Sequence, residues 1–386
     1  MASAPLSHEG PRSLSRRDYR TLALAALGGA LEFYDFVVFV FFTNVIGAVF
    51  FPPDTPPWIG QLQAFGVFAL GYLARPLGGI VIAHFGDLLG RKRMFTLSIV
   101  LMALPTLLMG LLPTYATAGA LAPLLLVLMR LLQGAAIGGE VPGAWVFVSE
   151  HVPARNTGLA VGTLTAGLTF GILLGSLVAT FINTSFTPAE VLDFGWRIPF
   201  LLGGGFGLFA VYLRRFLEET PVFREMQEKK ALSSELPLKS LLKTELGAVV
   251  YSMLLTWVLS AAIVVVILFT PTYLQTSFKV AAAMSLQANS LAIVCLTCGC
   301  VTFGMLSDRF GARWALGLGS LGLLLANYRF YTSLVDPSRL FLDYALVGFL
   351  VGSIGSIPYL LVRAFPPAIR FSGMSFSYNV AYAVFG

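Results

Sequence analysis

Long apolar runs joined by short polar stretches dominate this chain. A membrane-crossing helix needs about 20 mostly apolar residues, and the runs predict ten such spans. They fall at about 21–47, 60–84, 94–112, 122–148, 157–182, 197–216, 246–270, 285–306, 314–333 and 341–363. An eleventh begins near Ser372 and meets the chain end at Gly386. The predicted class is an all-α membrane protein with ten full spans plus part of the eleventh. The predicted division is a tail (1–20), an N-terminal six-helix half (21–216), a polar linker (217–244) and an incomplete C-terminal half (245–386). A terminus inside an apolar run would leave a carboxylate in the bilayer, at a cost of at least about 3 kcal/mol. The expectation is therefore either a fragment of a longer chain or a truncated gene product. Within the linker, Thr220-Pro221 reads as an N-cap followed by proline at the first helical position. Leu236, Leu238, Leu241 and Leu242 with Lys239 and Lys243 fit either an amphipathic surface helix or a solvated connector.

Composition agrees with the pattern. Of 386 residues, 57% are hydrophobic and 11% charged, against about 25% charged in soluble domains. Such a chain could not cover a water-facing surface. The 39 glycines suit helices that approach closely in lipid. The net charge of +6 bears on orientation rather than nucleic-acid binding. Cys295, Cys298 and Cys300 share one apolar segment, which leaves no disulfide framework. They have no His or acid near them in sequence, and His8, His84 and His151 are scattered, so neither a metal nor a haem is expected. No metalloprotease or nucleophile-elbow pattern occurs, and no cofactor is expected; the chain does not read as an enzyme.

Charge sets the topology. Lys and Arg in the tail and every second loop number 19, against four in the opposite loops (Arg197, Lys279, Arg329, Arg339). The positive-inside rule then places the N-terminus and the linker in the cytoplasm. The start is no signal peptide, because the apolar run after Arg12, Arg16, Arg17 and Arg20 is too long and has no cleavage site.

Two loops repeat. Ala83-His-Phe-Gly-Asp87-Leu-Leu-Gly90-Arg91 follows the second span, and Gly304-Met-Leu-Ser-Asp308-Arg309-Phe-Gly311 follows the eighth. Asp87 to Asp308 and Gly90 to Gly311 are both 221 residues. After the fourth span come Glu150, Pro153, Arg155 and Gly158; after the tenth come Ala364, Pro366, Arg370 and Gly373. Matching loops in two halves indicate a duplicated bundle, a transporter architecture.

The loop pair resembles the signature of the major facilitator superfamily. Further strings resemble its metabolite–proton symporter branch, which carries dicarboxylates, citrate, shikimate and betaine or proline. They are Leu31-Glu-Phe-Tyr-Asp-Phe36, Ala74-Arg-Pro-Leu-Gly-Gly79, Arg130-Leu-Leu-Gln-Gly134 through Glu140, Gly195-Trp-Arg-Ile-Pro-Phe200, Glu218-Glu-Thr-Pro221 and Tyr378-Asn-x-Ala-Tyr382. The resemblance covers about 20–386. It implies the major facilitator fold, two six-helix halves with alternating access, and a cavity lined by spans 1, 4, 7 and 10. It also implies a monomer in a bacterial cytoplasmic (inner) membrane, whose partners are a small-molecule substrate, a proton and the lipid bilayer. The chain departs from the pattern at Ala83, Leu88, Ala312 and Arg363, the last standing where the branch usually has Glu.

Ionisable residues inside spans are functional candidates by default. Here they are Glu32, Asp35, Arg75, Arg130 and Glu140. Arg130, Gln133, Gly134, Ile137 and Gly138 share one helix face. Three acids against two guanidiniums leave at least one acid without a cationic partner, and such an acid can carry a proton. Asp35, Arg130, Glu32 and Glu140 are the proton-coupling candidates, with Asp35 and Arg130 expected to pair across spans 1 and 4. The competing reading makes these residues structural locks between spans 1, 2 and 4. Substrate candidates are Arg75, Tyr34, Gln133, Tyr251, Trp257, Tyr273 and Tyr359; Gln275 is a weaker one. Gating candidates are Asp87, Gly90, Arg91, Arg155, Asp308 and Gly311. Gly158, Gly162, Gly167, Gly171 and Gly175 read as one small-residue packing seam on the fifth span. That span lacks the Gly-Pro pair of drug antiporters in this superfamily, which favours import by symport. An exporter or antiporter of the same fold and a non-transporting remnant are the alternatives.

Overall fold

The computed structural model describes residues 13–386 except 90, 215, 217–219, 221, 223–224, 226–227, 229–240, 242, 334–338 and 386, and it leaves out the side chains of 86–92, 95, 214, 272, 276, 282, 283 and 333. The described residues are mostly helical and include no strand. Eleven elements build the bundle: α1 (Arg16–Phe41), α2 (Pro57–Leu89), α3 (Arg91–Leu111), α4 (Leu121–His151), α5 (Thr157–Ser185), α6 (Arg197–Arg214), α7 (Leu246–Ala261), α8 (Ala282–Phe310), α9 (Ala312–Ser333), α10 (Leu340–Val351) and α11 (Arg370–Phe385). α7 runs on through π-helical turns at Ala262–Phe269, and α10 continues to Ala364. Most of the 217–244 linker, including Pro221, lies outside the described residues, so its two readings are not distinguished.

Local chemistry explains the boundaries. α1 starts at Arg16, about five residues before the apolar run, because Ser15 caps it. The Asp18 amide donates to Ser15 Oγ at 3.2 Å and the Ser15 amide donates to Asp18 Oδ2 at 2.8 Å. The π-helical turns of α7 release backbone carbonyls from the regular ladder. Tyr344 and Thr270 satisfy two of them: the Tyr344 hydroxyl reaches the Val266 carbonyl at 2.7 Å and Thr270 Oγ1 donates to Val265 at 3.1 Å.

Seven described helices are long and apolar enough to cross a bilayer, eight if the bent pair Pro188–Gly195 with Arg197–Leu213 forms one span. That is fewer than the ten expected from the runs, for physical reasons. The apolar part of α3 is short (Thr96–Leu111), α6 reaches span length only together with the bent Pro188–Gly195 segment, and α9 carries Arg313, Asn327 and Arg329; α11, the expected partial span, has 16 residues rich in Ser, Asn and Tyr. The polar face of α11 is nevertheless buried: Ser375, Ser377 and Asn379 are enclosed by protein. Outward faces are apolar instead. Leu73, Leu77 and Val81 form an exposed stripe on α2, as do Leu97, Leu101, Leu104 and Leu108 on α3, the signature of a surface facing lipid.

Glycines let the helices approach. A Cβ on Gly134 would collide with the Gly71 backbone, one on Gly78 with Ala135, and one on Gly138 with the Arg75 carbonyl. The same device recurs between α8 and α10, where Gly348 meets Ala292 and Gly352 meets Gly299. Gly134 to Gly348 and Gly138 to Gly352 are both 214 residues, and Gly78 to Gly299 is 221. The duplication seen in the loops therefore extends through the helix contacts. The glycines of α5 divide between two faces rather than forming one seam. Gly158 and Gly162 meet Gly304 and Cys300 of α8, whereas Gly167 and Gly171 meet Ala26 and Ala30 of α1. α5–α8 and α2–α11 are the main contacts between the first six helices and the rest.

Gly138→Ala should destabilise the purified protein by about 1–3 kcal/mol, because its methyl group has only backbone to displace. Gly66→Ala, whose methyl would meet open space, should be neutral or slightly stabilising. Thermal unfolding in detergent compares the two; equal behaviour would show that the α2–α4 contact tolerates a side chain.

Candidate functional site

Arg130 on α4 and Arg75 on α2 are fully buried, and among the described residues neither forms an ion pair. Aromatic rings surround them instead. The Arg130 guanidinium carbon lies 4.6, 4.5 and 4.9 Å from the ring centres of Phe36, Phe39 and Phe68. Arg75 lies 4.6 Å from Tyr382, 5.2 Å from Tyr72, 5.4 Å from Tyr378 and 5.6 Å from Phe36. Ring faces are electronegative and attract a cation, by about 2 kcal/mol where water is excluded. The Nε and Nη2 atoms of both arginines have no hydrogen-bond partner. They are buried donors with hydrogen-bonding capacity to spare.

Gln133 organises the Arg130 end. Arg130 Nη1 donates to Gln133 Oε1, and Gln133 Nε2 donates to the Asp35 carbonyl at 3.1 Å and to Thr106 Oγ1 at 2.8 Å. One amide thus ties α1, α3 and α4 together. The expected Asp35–Arg130 ion pair is not formed in this state. Asp35 precedes Phe36 by one residue, about 100° round the helix, so Phe36 faces Arg130 and the Asp35 carboxylate faces α6. Its Oδ1 occupies the place a Cβ on Gly203 would take, and its Oδ2 lies beside Gly207. Both oxygens are buried without a hydrogen-bond partner.

The other charged candidates take different places. Glu140 is buried and accepts from Ser98 Oγ on α3. Glu32 is buried in α1. Tyr34 donates to the Pro199 carbonyl at 3.0 Å and packs on Phe206, which fastens α1 to α6. Tyr251, Trp257, Tyr273 and Tyr359 do not join the arginines. Tyr251 and Trp257 are exposed on α7, Tyr273 packs against Phe269, Phe278 and Tyr331, and Tyr359 stacks under Arg363. Sequence reasoning missed the ring donors Phe36, Phe39, Phe68 and Tyr72. It quoted Tyr378 and Tyr382 only as a motif. Their signal was aromatic residues at helical i, i+3 and i, i+4 spacing around a buried cation.

One turn beyond Arg75, towards the end of the bundle where the basic loops collect, the halves are sealed. Ser375 Oγ of α11 donates to Gly79 at 3.0 Å and to Gly138 at 3.2 Å, and Asn379 Nδ2 donates to Gly138 at 2.5 Å. A Cβ at Gly79 would meet Asn379 and Ser375. At the basic end itself, Asp308 accepts from the Gly158 and Leu159 amides at 2.7 and 2.8 Å, capping α5 from across the interface. Gly311, at the end of α8, has φ +90°, which favours glycine. Arg370 pairs with Glu150 at 3.0 Å and Arg363 donates to the Ala154 carbonyl at 3.1 Å. Arg155 is exposed in the adjoining turn. Gly90 and the side chains of Asp87 and Arg91 lie outside the described residues.

Two pseudo-repeated helical halves, latched at one end around buried charges, define a membrane transporter fold. A sequence model of the Major Facilitator Superfamily matches residues 37–386, and the chain belongs to that superfamily. It is 32% identical over 390 residues to the proline/betaine transporter of Escherichia coli strain K12, covering 95% of this chain and 75% of that one. It is 31% identical over 380 residues to a putative proline/betaine transporter of Staphylococcus aureus strain COL, covering 96% and 80%. The fold is similar to that of the proton:xylose symporter XylE bound to 6-bromo-6-deoxy-D-glucose, with TM-score 0.77, 19% identity and coverage of 95% and 86%. A partially occluded inward-open XylE from E. coli gives TM-score 0.73 at 20% identity, covering 96% and 91%. The protein is a multi-pass membrane transporter.

Asp308→Ala should leave two amides at the start of α5 without an acceptor, loosening that turn by about 1–2 kcal/mol. Amide hydrogen exchange in 157–162 should then quicken roughly five- to thirtyfold. Arg329→Gln, which breaks the Arg329–Asp343 pair elsewhere, should leave that exchange unchanged.

Proposed function

We propose that this protein imports a small zwitterion or carboxylate by proton symport, through alternating access of its two halves. The observation that carries the proposal is the Asp35 carboxyl group, enclosed in the bilayer-spanning bundle with both oxygens unengaged. An isolated charge inside a membrane costs several kcal/mol, and a proton removes that cost. Gln133 links the Asp35 backbone to Arg130, so a shift of α1 is transmitted to the guanidinium. Arg75 and Arg130 offer free N–H groups to a substrate carboxylate, with Gln133 beside them. The rings of Tyr72, Tyr378 and Tyr382 suit an ammonium group. The names of the relatives support a substrate of that kind. In this reading the halves are residues 21–216 and 245–386, the N-terminus and the basic end face the cytoplasm, and the transporter works as a monomer in the bacterial inner membrane.

Asp35→Asn should abolish accumulation driven by an acid-outside gradient in proteoliposomes and retain exchange of substrate, which needs no net proton movement. Arg130→Ala should lose both. Accumulation by Asp35→Asn would pass the coupling role to Glu32 or Glu140, and uptake that answers a sodium gradient alone would refute proton coupling.

The latch is assigned to switching, not binding. Asp87 stands 221 residues before Asp308, and Asp308 caps a helix across the interface. Asp87→Asn should lower the transport rate about tenfold, a barrier change of about 1.4 kcal/mol, with substrate affinity kept. Reduced affinity at normal turnover would place Asp87 in the binding site instead.

A further inference from the structure

A cleft of about 690 Å³ opens at the basic end between α7, α9 and α10, away from the buried arginines. Arg313, Trp314, Tyr251, Tyr359 and Arg363 line it, and among the described residues the lining contains no acid. Arg363 stacks on Tyr359 at 4.1 Å, which fixes the plane of its guanidinium. Its Nη2 is used on the Ala154 carbonyl of the other half, and its remaining N–H groups have no partner among the described residues. Arg313 is exposed and forms no ion pair or hydrogen bond with the described residues. Asp308 lies within electrostatic reach of Arg363, but both its oxygens are held by the Gly158 and Leu159 amides.

The surroundings identify the occupant. Below the cleft, Leu246, Val250 and Leu254 stand exposed on one face of α7, and Leu318 and Leu321 stand exposed on α9. These are the stripes expected to face acyl chains. Trp314 and Tyr251 are exposed at the rim, where amphipathic rings settle at headgroup level. A soluble anion would leave those stripes and rings unexplained. We propose that the cleft binds the phosphodiester headgroup of an anionic phospholipid, with Arg313 and Arg363 on the phosphate and the acyl chains along α7 and α9. A phosphate can take the free edge of the Arg363 fork while Nη2 stays on Ala154. The bound lipid therefore holds the halves latched at this end, which makes latching sensitive to membrane composition.

Native mass spectrometry of the full chain, released from detergent carrying either phosphatidylglycerol or phosphatidylcholine, tests this. Wild type should retain phosphatidylglycerol about tenfold better than phosphatidylcholine, and the double variant Arg313→Gln/Arg363→Gln should lose that preference. Arg16→Gln, at the start of α1 on the same end, should keep it. The conservative double variant Arg313→Lys/Arg363→Lys, which keeps charge without the bidentate fork, should fall between. It covers the case in which the Gln variant fails to fold. Equal retention of the two lipids by wild type, or undiminished preference in both double variants, would overturn the site. Displacement of phosphatidylglycerol by millimolar inorganic phosphate would overturn the lipid as its occupant.

Discussion

Two guanidiniums without carboxylates, packed among aromatic rings in a lipid-embedded bundle, are the constraint on which the rest depends. Arg75 and Arg130 place two guanidiniums in a fully buried interior. Removing an ion from water costs several kcal/mol even after relaxation. Three or four rings at 4.5–5.6 Å return about 2 kcal/mol each at best. The rings make the charges tolerable without neutralising them. What remains is an attraction for an anion, held at a fixed place.

That placement requires the backbones to be unusually close. Gly71, Gly78, Gly134 and Gly138 let α2 and α4 touch main chain to main chain, which brings the two arginines onto neighbouring faces. α11 then supplies Tyr378 and Tyr382 to the cage and Ser375 and Asn379 to the seal one turn away. A single helix from the second half thus contributes both to the charged layer and to the closure beside it. In the proposed alternating access, a movement of α11 relative to α2 would change the cage around Arg75 and the seal at Gly79 together. The geometry that closes the basic end is the geometry that shields the cation.

Much of this was legible in the sequence. The 221-residue offset marked the duplication, and the five buried ionisable residues announced themselves by being charged in apolar runs. The face of Arg130, Gln133, Gly134, Ile137 and Gly138 is the one that packs inward. Rotation about helix axes was not legible. Asp35 could be placed near mid-span and Arg130 about two turns further out, but whether Asp35 faced α4 or α6 depended on which side of α1 the glycines Gly203 and Gly207 opened. Partners contributed by α11 were also hidden, because contacts at such sequence separation leave no local period. The glycines of α5 were visible, yet only the packing shows that some serve the interface between halves and others the inside of one half.

Arg363 shows how a departure from the expected pattern can be absorbed. The branch that the chain resembles usually has an acid there, and an arginine cannot play an acid's part toward a cation. Instead it donates to a carbonyl, which needs no charge on the other side. Arg370 and Glu150 form the charged contact across the interface. The latch thereby keeps a hydrogen bond at that position but gains a surplus positive charge, and Arg313 adds a second beside it. A surplus of this kind on a face bordering lipid is costly only until an anion covers it. The local sequence change thus moves part of the latch's stability from the protein to its membrane.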